Sequence, residues 1–283
     1  MTNNTNNTNN TNNTNNTNNS GNAGRSIDPG SEWIFPDRAN LPLVDDPGMD
    51  STRFPDNAYP DRFWSPIWNA WRILPQYTQL LWLTKTDPGP PQPLPGTDEL
   101  QILADYARFD RGDALSEIMA QKDEFVSEFM GLLAATPVSH PNTYRLMHLM
   151  NLLGAFTVMH WKDVYHRIRP SQRLPMLRPP TQVPGHASYP SGHATQAYLI
   201  ALGTALVVPV MKQNLLGLAA RIARNRELAG LHYPSDTAGG VALANKIHAM
   251  IEADRNPQPP LPAPAPTMGL YVKAVADAKG EWP

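Results

Sequence analysis

The stretch SYPSGHATQAYLIALGTALVV, residues 188–208, joins two unlike halves. Pro190-Ser191-Gly192 disfavours helix, yet an apolar segment of helix length follows it directly. A Ser-Gly pair entering a helix leaves backbone N–H groups without intrahelical partners, pointing outward at the positive end of the helix dipole. Such a mouth is a ready site for an anion. His193 stands at its lip.

Outward from this segment the pattern stays helical. Periodicity and caps predict helices over 98–110, 114–135, 141–167, 192–208, 211–229 and 236–253. Thr97 can cap the first, with Asp98 and Glu99 in its opening turn. Ser139 lies near the cap of the third and Pro141 falls in its first turn. Gly230 closes the fifth, and Pro234-Ser235-Asp236 enters the last. The 141–167 segment is apolar nearly all round, with Leu146, Met147, Leu149, Met150, Leu152, Leu153, Phe156, Val158 and Met159, which makes it central. No strand-like alternation is sustained. The class is all-α, a compact bundle of about six helices.

The ends differ in composition from this middle. The chain opens with six copies of Thr-Asn-Asn, so 1–24 buries nothing and is expected to be disordered. Residues 25–96 read as an extended arm with a short helix, where Trp64, Trp68 and Trp71 recur as a packing stripe, and a Pro-rich connector. Residues 97–254 form the catalytic helical domain, and 255–283 a Pro-rich tail with a short amphipathic end. The first residues lack the basic and apolar regions of a secretory signal. The longest apolar run, Ala197 to Met211, is shorter than a membrane span and contains Pro209. The expectation is a soluble chain without a membrane span, with a cytoplasmic location ahead of a secreted one. A net charge of −2 leaves no footprint for nucleic acid, and the absence of cysteine excludes disulfides and thiolate metal sites. The aromatic arm is a candidate contact for a homo-oligomer.

Charge is unevenly spread. Nine acids stand against three bases between Asp98 and Glu128, a pattern that reads as a solvated face. Lys162 to Arg178 holds five bases against Asp163. Lys162 and Arg169 lie seven residues apart, two helical turns and nearly one face, with Pro170 ending the helix there. On its own such a pair is ordinarily a solvated face. A third segment, ARNRELAGLHYPSD, adds Arg226 near a helix end, then His232 in a turn and Asp236 four residues on. Two histidines, three cations, the Ser191 hydroxyl and the Gly192 amide thus fall at three helix ends. That set suits a tetrahedral oxyanion passing through a five-coordinate transition state: cations and amides on the equatorial oxygens, a histidine at each apex. Asp236 can hold His232 in the tautomer that presents a free nitrogen.

These residues resemble the type 2 phosphatidic acid phosphatase and vanadium haloperoxidase superfamily, whose pattern reads K-x6-RP, then PSGH, then SR-x5-H-x3-D. The chain supplies Lys162 with Arg169-Pro170, then Pro190-Ser191-Gly192-His193, then Arg226, His232 and Asp236, every spacing intact. Asn225 departs from the usual Ser and touches only a supporting hydrogen bond. The resemblance implies that His232 is the phosphate nucleophile or the vanadate ligand. It further implies that His193 is the acid for the leaving group or the partner of the apical vanadate oxygen, that Lys162, Arg169, Ser191, Gly192 and Arg226 cradle the oxyanion, and that Asp236 orients His232.

Two chemistries share this site. An acid phosphatase acting on small phosphorylated substrates, monoesters or diphosphates, through a phosphohistidine needs no cofactor; a haloperoxidase needs vanadate, hydrogen peroxide and a halide. The compact catalytic part, about 160 residues, and the LHYPSD stretch resemble the phosphatase branch, which is the leading reading. His186, seven residues before His193, is similar to an arrangement in bromoperoxidases and keeps the second open. His186 and Tyr189 are candidates for a halide or substrate pocket, and Arg173 and Arg178 for its lining.

Overall fold

The computed structural model describes residues 64–91, 97–256 and 266–283. The Thr-Asn-Asn tract, the arm up to residue 63, the middle of the Pro-rich connector with the Thr97 side chain, and residues 257–265 of the tail lie outside the described residues. Pro66 to Pro283 make one unit. Within it the expected all-α class is met: the described residues carry helices and turns without a strand. No helix among them is long and apolar enough to cross a membrane.

In chain order the helices are α1 (Pro66–Trp71), α2 (Leu74–Tyr77), α3 (Trp82–Lys85), α4 (Thr97–Asp105), α5 (Arg111–Ala120), α6 (Val126–Leu132), α7 (Pro141–Tyr165), α8 (Pro170–Arg173), α9 (Gly192–Ala205), α10 (Lys212–Leu228), α11 (Pro234–Arg255) and α12 (Gly269–Lys279). The centre is α9, packed on α7, α10 and α11. Small side chains let neighbours come close. A Cβ at Gly203 would stand 2.7 Å from Met150 Cγ, and one at Gly154 3.1 Å from Gln196 Cα. The 141–167 segment also lines the core through Leu146, Met147, Met150 and Leu153, but Met159 on it is 46% exposed. Being apolar all round therefore did not make it buried all round.

The larger departures from the sequence pattern fall in three places. The predicted gap at 111–113 is absent, because a π-helical turn, Tyr106–Asp110, carries α4 into α5. The predicted 114–135 helix is broken between Ala120 and Val126, where Gln121 is fully buried and Phe125 leaves helical geometry at φ −146°. The 141–167 helix stops at Tyr165, since His166 takes a left-handed φ of 45° and its N–H closes on the Lys162 carbonyl. The tryptophan stripe is also corrected: α1 buries Ile67 and Ala70, while Trp68 and Trp71 face outward.

The start of α7 is capped from far along the chain. Ser139 turns back onto Thr136 instead. The Glu281 carboxylate accepts from Asn142 N–H at 2.7 Å and from Thr143 N–H and Oγ1–H at 2.8 Å each. Trp282 Nε1 donates to the same Thr143 hydroxyl at 2.9 Å. A carboxylate on the first amides of a helix satisfies orphan donors and complements the dipole. Glu281→Ala is expected to lower stability by about 1–2 kcal/mol, with Glu281→Gln losing less, measured by urea unfolding.

Candidate active site

The site is assembled from helix ends. Ser191 caps α9 in extended geometry, its Oγ accepting from Ala194 N–H at 3.4 Å, so its own hydroxyl proton stays available. The amides of Gly192 and His193 open the first turn, where a helix offers no internal acceptor. Ser191 N–H donates to the Asp236 carbonyl at 3.0 Å, fastening the start of α9 to the start of α11. Glycines make this approach possible. A Cβ at Gly240 would lie 2.6 Å from the Ser191 carbonyl oxygen, and one at Gly239 2.2 Å from the Tyr189 ring.

Lys162 sits in the last turn of α7, whereas Arg169 lies beyond its end in extended backbone, so the two do not share a helix face. Proline at 170 disfavours helical geometry for Arg169, and the chain has already turned at His166. Both side chains still reach one place. Lys162 Nζ donates to the carbonyls of Ala187 (2.9 Å) and Ser188 (2.8 Å). Arg169 donates from Nε to His186 O (3.0 Å) and from Nη1 to Leu231 O (2.9 Å). Arg226 comes from α10, whose end is shaped by Gly230 at φ 72°, with Gly230 N–H on the Glu227 carbonyl and Leu231 N–H on the Arg226 carbonyl. Its Nη2 donates to Ile118 O at 3.0 Å, and its buried Nε meets no protein acceptor.

All three cations are at most 2% exposed. Burial, with Arg169 nearby, pushes the Lys162 ammonium well below its ordinary range, and burial brings the Arg169 and Arg226 guanidiniums down to about 10. The hydrogen-bond partners above are carbonyls, which orient a cation without neutralising it. Three buried positive charges so held make this the candidate site for an oxyanion.

His232, 4% exposed, follows the Gly230 turn. Its Nδ1 lies 3.2 Å from Asp236 Oδ2, and a carboxylate only accepts, so Nδ1 carries the proton and Nε2 the lone pair. Burial lowers the His232 pKa well below the usual histidine range, with Arg169 and Lys162 acting the same way and Asp236 opposing them. Asp236 is the third residue of α11, and the same Oδ2 accepts from Tyr233 N–H at 3.0 Å and from the Ser188 hydroxyl. Its carboxyl is held below the ordinary aspartate range by His232 and Arg167 despite burial. His193 is placed differently. Its Nε2 donates to the Gln121 carbonyl at 2.9 Å and its ring lies 5.3 Å from that of Phe125. Burial, with Arg226 next, brings it down to about 3.

Lys162 acts on both rings, together with Arg226 on His193 and with Arg169 on His232, and its Cε lies 3.9 Å from where a Cβ at Gly192 would stand. His186 stands exposed at the rim, its Nδ1 3.1 Å from Arg169 Nη2. Tyr189 is buried against Gly239 with its hydroxyl on the Gly89 carbonyl at 2.9 Å. Arg178 is exposed, and its carbonyl accepts from Arg111. Asn225, the departure from the motif, is buried and donates to Glu117 (3.0 Å) and to the Gln121 side chain (2.9 Å). Sequence reasoning did not single out Gln121, Ser188 or the pairing of Arg167. No spacing signals a main-chain carbonyl turned onto a ring.

Helix ends thus bring buried cations beside a carboxylate-anchored histidine. Residues 144–251 match the PAP2 superfamily model. Over 96 residues the chain is 35% identical to decaprenylphosphoryl-5-phosphoribose phosphatase of Mycobacterium tuberculosis, strain CDC 1551 / Oshkosh, and to the protein of that name from strain ATCC 25618 / H37Rv. The match covers 32% of this chain and 50% of each relative, so the chain spans about half the length of the curated relatives it matches.

Gly240→Ala must push the Ser191 carbonyl and is expected to abolish folding or anion binding. Gly217→Ala, mid-α10 with nothing within 4 Å of its Cβ, is expected to be neutral or stabilising by up to about 1 kcal/mol. Thermal melts with and without sulfate compare the two.

Proposed function

We propose that the chain is a PAP2-type phosphatase that hydrolyses phosphate monoesters or diphosphates through a phosphohistidine on His232. The observation that carries this reading is the cluster of buried cations, Lys162, Arg169 and Arg226, held by main-chain carbonyls beside a neutral His232 whose Nδ1 is fixed on Asp236. The curated relatives support hydrolysis, and their name specifies a phosphoribose, itself a sugar phosphate ester.

In this reading the cations, Ser191 Oγ–H and the first amides of α9 bind the phosphoryl oxygens and stabilise the charge that builds on them. His232 Nε2 attacks phosphorus as the ester P–O bond breaks, and the departing oxygen takes a proton from His193. Water then attacks the phosphohistidine, giving a proton to His193 and releasing phosphate from Nε2. Asp236 stabilises the positive charge that His232 gains when its Nε2 bonds to phosphorus. His193 is neutral in the free site, its one proton on the Gln121 carbonyl. A bound anion offsets the repulsion from Arg226 and Lys162 and raises its pKa, so substrate charge arms the acid. His232 with the same cations would also fit vanadate, which when bound supplies peroxide activation; the names of the relatives favour hydrolysis.

The test is hydrolysis of p-nitrophenyl phosphate by the purified chain without added metal, with alkaline denaturing quench to trap phosphate on His232. His232→Ala is expected to abolish both. His193→Ala is expected to lose far more activity on alkyl phosphates than on p-nitrophenyl phosphate, whose phenolate hardly needs a proton. Bromination that requires vanadate and peroxide, with no ester hydrolysis, would falsify the phosphatase reading.

Proton linkage gives a second check. With a free-site pKa of about 3, His193 is uncharged at pH 5, and an anion that raises this value makes the site take up protons there. Calorimetry of sulfate binding at pH 5, in two buffers of unlike ionisation enthalpy, is expected to show net uptake that falls in His193→Gln.

A further inference from the structure

Asp236 has two carboxylate oxygens, and His232 uses only one. Oδ2 takes His232 Nδ1, Tyr233 N–H and the Ser188 hydroxyl. Oδ1 takes Arg167 Nη1 at 2.7 Å, a pair in which the arginine side chain is 2% exposed and the aspartate 0%. Arg167 lies in the link from α7 to α8, two residues before Arg169, yet it turns away from the oxyanion cations onto the far side of the carboxylate. It is braced there. The same Nη1 donates to Ser235 Oγ at 2.9 Å, the guanidinium lies 4.5 Å over the Tyr233 ring, and Glu99 of α4 is 3.9 Å away. Glu99 in turn accepts from Ser235 N–H (2.7 Å) and Ser235 Oγ–H (2.8 Å) at the start of α11.

We infer that Arg167 is a positioning residue for the nucleophile: by fixing Oδ1 it keeps Asp236 ionised and aimed, and so holds the proton of His232 on Nδ1 and the lone pair on Nε2. This rests on the phosphatase reading for its catalytic consequence, but not for the tautomer it predicts. A bidentate demand explains the arrangement. A carboxylate buried beside a neutral imidazole is driven toward its protonated form, and an acid proton on Asp236 would turn an acceptor into a donor and release Nδ1. Lys162 and Arg169 also act on Asp236, but those are the charges a bound phosphoryl group neutralises. Arg167 is the cation that stays with the carboxylate through turnover. The other titratable groups facing Asp236 are His232, Tyr189, Tyr233 and, at the end of α10, Glu227.

The experiment compares Arg167→Gln, Arg167→Lys and Glu99→Gln in the full chain. Arg167→Gln is expected to lower kcat on p-nitrophenyl phosphate about 10- to 100-fold with KM changed less than about threefold, the range seen when a supporting partner of a site ligand is removed. Its acid limb in kcat against pH is expected to move to higher pH, because losing the cation raises the Asp236 pKa and the ionised form is then lost earlier on acidification. Arg167→Lys should restore part of both, and Glu99→Gln should shift the limb the same way by less. Nitrogen-15 shifts of the His232 ring at neutral pH read the tautomer directly: Nδ1–H in the wild type, a mixture in Arg167→Gln. An unchanged acid limb and an unchanged tautomer in Arg167→Gln overturn the inference. So does a loss of kcat and sulfate binding together that Arg167→Lys leaves unrepaired, since that is a folding role. If the wild type hydrolyses no phosphate ester, the phosphatase reading fails, and the ring shifts still decide what Arg167 does.

Discussion

One backbone hydrogen bond, Ser191 N–H to the Asp236 carbonyl at 3.0 Å, ties the first turns of α9 and α11 together. Everything that handles charge hangs from that junction. The residue that ends the bond on one side caps the helix whose amides face the pocket, and the residue on the other side anchors His232. Gly239 and Gly240 give the junction its room. The pocket is therefore a crossing of two helix beginnings, where amide dipoles add to side-chain charge and where the backbone allows no bulk.

Around the junction, among the described residues, three buried cations have main-chain carbonyls rather than carboxylates as their hydrogen-bond acceptors. Arg167 has Asp236, Arg221 has Glu117 and Arg255 has Glu252, whereas Lys162, Arg169 and Arg226 are oriented by carbonyls from residues 118, 186, 187, 188 and 231. Such an arrangement is expensive in a folded protein unless a ligand completes it. The depressed ionisation of His193 and His232 follows first from burial and then from the nearby cations, and it leaves both rings neutral with defined tautomers, one set by a carbonyl and the other by a carboxylate.

Much of this was legible in the sequence. Pro-Ser-Gly before an apolar run marked the start of α9, Gly230 marked the end of α10, and three short patterns named the buried cations and the two histidines. These signals are local: a cap, a left-handed turn and a proline each act within a few residues. What the pattern could not show was set by distant partners. The end of α7 falls at His166 rather than at Pro170, and Lys162 and Arg169 meet through the strand of carbonyls at 186–188, not through a shared face. The break before α6 exists where Gln121 is buried between Asn225, Glu128 and His193. The cap of α7 comes from Glu281, and no spacing rule joins residues that far apart.

Leu231 joins two of the cation-bearing residues through its backbone alone, one at the main chain and one at the guanidinium. Its N–H is on the Arg226 carbonyl and its own carbonyl is on Arg169 Nη1. The main chain at the end of α10 is thus tied to the Arg169 guanidinium through a single residue. Neither bond uses the Leu231 side chain, so replacing that side chain alone leaves the tie between the two arginine-bearing segments in place.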